Sequence, residues 1–193
     1  MIKLSYFFHL NFLSKMDKDI KTLQHFFNDK NLHIYRDNNN NIIIDGNIFI
    51  YERNFNKIPV KIYKVNGNIS WHGDIDGFHK GSLSTLENFP DIVNGSVLIY
   101  KNPYLTSLKG CPKHISGTLQ CDRCNISDIS DISEYIGQYL IMSYNPINDF
   151  TILEKIYVGK NIELIETNVD VSSIKLKNDS SIIIYEKPIF TIF

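Results

Sequence analysis

A mainly β solenoid of about six coils, closed at its start by a helix-plus-hairpin cap, is the fold this 193-residue chain predicts, and three observations predict it. Glycines recur at Gly46, Gly67, Gly95, Gly117, Gly137 and Gly159, at intervals of 21, 28, 22, 20 and 22 residues, a spacing typical of repeat architectures. Each glycine opens the same local pattern: an alternating strand, a polar corner, an apolar pair three residues apart, and closing apolar residues that lead to the next glycine. Composition agrees, because 31 Ile and 21 Asn with no Ala remove the best helix former and supply a β-branched one. A coil of this size buries its apolar side only against its neighbours, so the chain stacks along one axis and does not close around a cleft.

Taken in order, Met1 to Lys15 carries Leu4, Phe7, Phe8, Leu10, Phe12 and Leu13, yet His9 and Asn11 interrupt the run and no small-x-small cleavage site follows. It is too short to span a bilayer and is expected to be a leader ahead of a start at Met16. Asp17 is a suitable N-cap for an amphipathic helix over about 18–29, with Ile20, Leu23, Phe26 and Phe27 on one face. His33 to Arg36 and Asn41 to Asp45 read as strands around the turn Asp37-Asn38-Asn39-Asn40, a hairpin over 33–45. Residues 1–45 are thus leader and cap, 46–164 the repeat solenoid, and 165–193 a closing segment containing a strand at Ser181 to Tyr185.

Counted from each glycine, the inward strand residues are Ile48 and Ile50, Ile69 and Trp71, Val97 and Ile99, Leu119 and Cys121, Tyr139 and Ile141, then Ile162 and Leu164 after a one-residue shift. The apolar pairs are Phe55 and Ile58, Leu83 and Leu86, Leu105 and Leu108, Ile126 and Ile129, Ile147 and Phe150. Closing residues are Ile62 and Val65, Phe89 and Ile92, Cys111 and Ile115, Ile132 and Ile136, Leu153 and Ile156. The long second interval places an insertion at Gly73 to Ser82, expected to protrude as a loop.

Leu119-Gln-Cys121-Asp-Arg-Cys124-Asn-Ile126 fits the L-x-L-x-x-N/C-x-L core of leucine-rich repeats. More narrowly, Asn102-Pro-Tyr-Leu105-Thr-Ser-Leu108-Lys-Gly-Cys111-Pro112, followed by Ser116-Gly117-Thr-Leu-Gln-Cys121, resembles the leucine-rich-repeat-like proteins of tailed bacteriophages, with Phe55-Asn-Lys-Ile58-Pro59 as an upstream copy. The resemblance covers about Asp17 to Leu164. It implies a leucine-rich-repeat-like solenoid without enzyme activity, with a host protein as partner and the host cytoplasm as its location. Only Gly95 and Gly117 open coils close to the family pattern, and the insertion after Trp71 departs from it.

Function classes narrow by charge and motif. A formal net charge of -1 provides no field for nucleic acid or an anionic membrane. Three cysteines do not make a disulfide framework and fit a reducing compartment. No phosphate loop, nucleophile elbow or H-E-x-x-H motif occurs, so no enzyme and no cofactor are expected. Cys111, His114, Cys121 and Cys124 have ligand-like spacing, C-x2-H-x6-C-x2-C, but the repeat already explains each sulfur as a core or corner residue, and no metal is expected. His72 and His79 with Asp74 and Asp76 around the insertion read as solvated loop residues.

The functional signal lies in the alternation. Residues between the inward ones face away from the core, and these are Phe49 and Tyr51, Ser70 and His72, Leu98 and Tyr100, Gln120 and Asp122, Leu140 and Met142. Large apolar groups at such positions point to a covered or binding surface. The candidate partner-binding residues are Phe49, Tyr51, His72, Leu98, Tyr100, Leu140 and Met142, for a protein partner of undefined identity or a second copy of the chain. The alternative is a virion or other structural component whose repeats only build shape.

Overall fold

The computed structural model describes residues 18–51, 55–73, 80–165 and 171–185. The expected leader, the centre of the insertion with Asp74, Asp76 and His79, and the tail from Pro188 lie outside them. A helix, α1, occupies 18–27 and is followed by the hairpin β1 (His33–Arg36) and β2 (Ile42–Asp45), paired antiparallel. The helix stops two residues before the expected end because Asn28 takes a left-handed φ of 46° and donates its N–H back to Gln24 O at 3.0 Å. Leu23 is fully buried beneath it, and Phe26 packs on Phe55 and Trp71, so the helix covers the apolar start of the stack. Arg36 fastens helix to hairpin, pairing with Asp19 at 2.8 Å and donating to Asn40 O.

From β2 onward the chain winds as a β-solenoid of two facing seven-stranded sheets. Sheet A runs through β1, β2, β4 (Lys64–Asn66), β6 (Ile92–Val93), β8 (His114–Ile115), β10 (Tyr135–Ile136) and β12 (Tyr157–Val158). Sheet B runs through β3 (Ile48–Ile50), β5 (Ile69–His72), β7 (Val97–Tyr100), β9 (Leu119–Asp122), β11 (Leu140–Ile141), β13 (Ile162–Ile165) and β14 (Ile182–Tyr185). All pairings except β1 with β2 are parallel and in register, so equivalent residues of successive coils stack in columns. The core is one continuous aliphatic column system, with Trp71 and Phe89 its largest members. The strand expected near 181–185 is the seventh rung of sheet B.

The recurring glycines occupy the corner between the two sheets, where successive coils touch. A Cβ on Gly67 would lie 2.1 Å from Gly46 O, and one on Gly159 would lie 2.2 Å from Gly137 O. At Gly67, Gly95, Gly117, Gly137 and Gly159 backbone contact between coils, rather than torsional freedom, therefore excludes a side chain, whereas Gly46 takes a φ of 124° that side chains rarely adopt. At the opposite corner Lys101, Arg123 and Tyr144 all take φ between 51° and 58°, turning the chain out of sheet B. The next residue closes the turn: Asn102 and Asn145 are buried and spend their amides on backbone groups of their own and adjoining coils. Cys124 fills this place in the coil between them, its Sγ 3.4 Å from Asp122 O.

One register expectation is corrected. Leu140, and not Tyr139, pairs with Leu119, and Leu140 in β11 and Met142 just after it are the buried residues. The chain preserves an offset of four residues from the last inward residue of sheet A to the first of sheet B, as in Val65 to Ile69, Val93 to Val97, Ile115 to Leu119, Ile136 to Leu140 and Val158 to Ile162. What moves is the glycine, from the second corner position to the first at Gly137 and Gly159. The shift read at the sixth coil thus begins at the fifth. Likewise Val93, rather than Ile92, is the inward member of β6, while in β12 it is Val158, with Ile156 buried just ahead of the strand.

Candidate interaction face

The outer face of sheet B carries two columns. One runs Phe49, Ser70, Leu98, Gln120, Ile141, Glu163; the other passes through His72, Tyr100 and Asp122. Phe49 and Tyr51 are 52% and 48% exposed, and Leu98, His72 and Tyr100 are half-buried on the same surface. Their rings form a chain: Phe49 to Tyr51 at 6.4 Å, Tyr51 to His72 at 5.9 Å with planes 15° apart, and His72 to Tyr100 at 6.4 Å. Five of the seven sequence-predicted residues are thus brought together on β3, β5 and β7 and, for Tyr51, just past the end of β3. Leu140 and Met142 are not among them, being 1% and 3% exposed, because the corner glycine moved and the outward place of β11 falls to Ile141.

Within the patch, His72 is held by a hydrogen bond between its Nε2 and the Ser70 hydroxyl. Burial lowers the pKa of its imidazole below the usual value, which favours the neutral ring. Beyond β7 the face turns polar. Asp122 is buried, its Oδ1 accepting the Ser143 N–H at 3.0 Å and its Oδ2 facing the Gln120 amide, and burial raises its carboxyl pKa. The apolar patch therefore has an edge, and that edge lies between Tyr100 and Asp122.

Sulfur and imidazole do not converge. Cys121 is fully buried in the strand column, and Cys111 meets Ser133 Oγ at 3.4 Å. His114 instead sits on the outside of sheet A. Burial raises the Cys111 thiol to about 11 and the Cys124 thiol to about 12, so both are neutral thiols at physiological pH. Among the described residues no group of three or more His, Cys, Asp and Glu would hold a metal ion. No helix among the described residues is long and apolar enough to cross a membrane.

A second aromatic array escaped the sequence reading. On the outer face of sheet A, His114 stacks on Tyr135 at 4.3 Å with planes 1° apart, and Tyr135 on Tyr157 at 5.0 Å and 6°. The signal was present one residue before each inward closing position, at Ile92, His114, Tyr135 and Tyr157. In strands of two residues this alternation has a single step. Comparisons of the chain with protein-family models, curated proteins and solved structures return no match.

Proposed function

We propose that this solenoid is a non-enzymatic protein-interaction module that engages a protein partner through the N-terminal half of sheet B. The observation that carries the reading is the aromatic patch itself: Phe49 and Tyr51 are each about half exposed on a regular sheet face, with Leu98, His72 and Tyr100 adjoining. Core columns do not need these rings, because the inward alternation already supplies burial. A preformed sheet holds them in place at little ordering cost, and aromatic anchors in desolvated patches commonly dominate interface energy. The resemblance of the coils from Asn102 to Cys121 to phage repeat proteins makes a host protein of the bacterial cytoplasm the natural partner.

The test is site-specific photocrosslinking in bacterial cells, with the crosslinker placed at position 49 and, as control, at Tyr104, which is 64% exposed on another side of the coil. A discrete protein adduct from position 49 alone, weakened by Tyr100→Ala, is the expected result. Adducts to a second copy of the chain, adducts to particle proteins, or none at all would each refute it.

A further inference from the structure

Two Asn-Gly pairs occur in the chain, Asn66-Gly67 and Asn94-Gly95, both at the corner that leads from sheet A into sheet B. With no Cβ on the following residue, its backbone nitrogen has open access to the asparagine side-chain carbon, so either pair is able to close a five-membered imide ring. The structure separates them. Pairing of β2 with β4, β4 with β6 and β6 with β8 lines up Asp45, Asn66, Asn94 and Ser116 along the corner. Asn66 Nδ2 donates to Asp45 Oδ1 at 2.6 Å, and Asn94 Nδ2 donates to Asn66 Oδ1 at 2.8 Å. The ladder ends there, because the Ser116 hydroxyl pairs with His114 Nε2 at 3.3 Å.

Asn66 is therefore held at both ends of its amide. It is half-buried, and the Asp45 carboxylate beside it opposes the negative charge that builds on its oxygen during attack. Asn94 is exposed, and among the described residues its Oδ1 accepts no hydrogen bond. Neither the Gly67 N–H nor the Gly95 N–H donates a hydrogen bond among the described residues, so the two sites differ in the asparagine and not in the nucleophile.

We propose that Asn94 is a self-modification site, which deamidates in the folded protein while the laddered Asn66 is protected. The Gly95 nitrogen attacks Asn94 Cγ, forming the N–Cγ bond; the Cγ–Nδ2 bond breaks, and Nδ2 leaves as ammonia carrying the proton that the Gly95 nitrogen gave up. Water then opens the imide. Breaking the bond from the Gly95 nitrogen to Cγ leaves aspartate, and breaking the bond to the main-chain carbonyl carbon of Asn94 leaves isoaspartate. Either product puts a carboxylate where an amide donor faced Asn66 Oδ1, so the last rung of the ladder is lost. Isoaspartate also adds a carbon to the main chain between two fixed points, Asn94 N–H on Val65 O and Gly117 N–H on Gly95 O, each at 2.9 Å. That corner has no slack, since a Cβ on Gly95 would lie 2.4 Å from Gly67 O.

Ageing the full chain in mildly alkaline buffer tests this, with peptide mass spectrometry at intervals and isoaspartyl methyltransferase labelling to tell the two products apart. In the folded chain, deamidation at Asn94 should run at least about 10-fold faster than at Asn66, whose amide must first be freed from two partners. In urea the two sites should react at similar rates, because each is then an Asn-Gly pair without a ladder. Asn94→Gln, which would have to close a six-membered ring, should stay unmodified at that position and keep the fold. The isoaspartyl fraction should melt below the parent, whereas Asn94→Asp should melt close to it. Equal rates at the two sites in the folded chain, a faster Asn66, or an unmodified Asn94 under conditions that modify the urea-unfolded chain would overturn the proposal.

Discussion

Replacing Asn102 by Ala tests whether the corners, rather than the strands alone, hold the coils together. Asn102 is fully buried and donates from Nδ2 to Trp71 O at 3.1 Å and to Tyr100 O at 3.0 Å, while its Oδ1 accepts the Leu83 N–H at 3.1 Å. Those contacts join three places in the chain: the end of β5, the end of β7 and the return segment after the insertion. Alanine removes all three bonds and leaves the Leu83 amide without its acceptor in a dry interior. At about 1 kcal/mol net for each of the two Nδ2 bonds, plus about 1 to 3 kcal/mol for the orphaned Leu83 donor, the loss should be about 3 to 5 kcal/mol. Urea titration followed by circular dichroism measures it as a fall in midpoint with an unchanged slope. The control is Asn94→Ala, where a largely solvated amide reaches Asn66 Oδ1 at 2.8 Å and the change should stay within about 0.5 kcal/mol. If Asn102→Ala costs no more than the control, the corner asparagine is decoration and the strand ladders carry the stack alone.

Two further outcomes follow. The register of the fifth coil predicts that Leu140→Glu abolishes cooperative unfolding, by burying a charge, whereas Ile141→Glu leaves a normal thermal transition; the reverse pattern would restore the glycine-anchored register. Asp122 carries a raised carboxyl pKa in the folded state, so the folded protein holds more protons than the unfolded chain between the ordinary carboxylate value and the raised one, and stability falls as pH rises through that window. Asp122→Asn keeps an oxygen acceptor for the Ser143 N–H and should raise the melting temperature at pH 7, with the gain vanishing as pH drops below the ordinary carboxylate range. A gain that persists in acid, or a loss at pH 7, would contradict burial as the cause of the shift.

Much of the stack was legible because its period is enforced by contact. Gly67, Gly95 and Gly117 mark corners where a Cβ has no room and Gly46 one where φ is positive, and from them alternation places Ile48, Trp71, Ile99 and Cys121 correctly in the core. It failed at Gly137 because the conserved quantity is the length of the corner and not the place of the glycine within it. Tyr139 for Leu140 is a one-residue error, and with period two that exchanges core for surface. The same error put Leu140 and Met142 among the candidate contact residues, while Phe49, Tyr51, His72, Leu98 and Tyr100 lay upstream of the slip. The ladder on sheet A was hidden for another reason. Strands as short as Tyr135–Ile136 present one outward residue each, and only the pairing of four such strands makes a column of them.

Both outer faces follow one physical rule. In-register parallel strands turn any recurring aromatic into a ladder, and each interior stack contributes about 0.5 to 1.5 kcal/mol to the fold beyond its buried area. A ring inside a ladder thus has a structural reason to exist. A ring at the end of one makes a single ring stack among the described residues instead of two. Tyr51 is joined to His72 next to β3, the terminal strand of sheet B, and Tyr157 lies on β12, the terminal strand of sheet A.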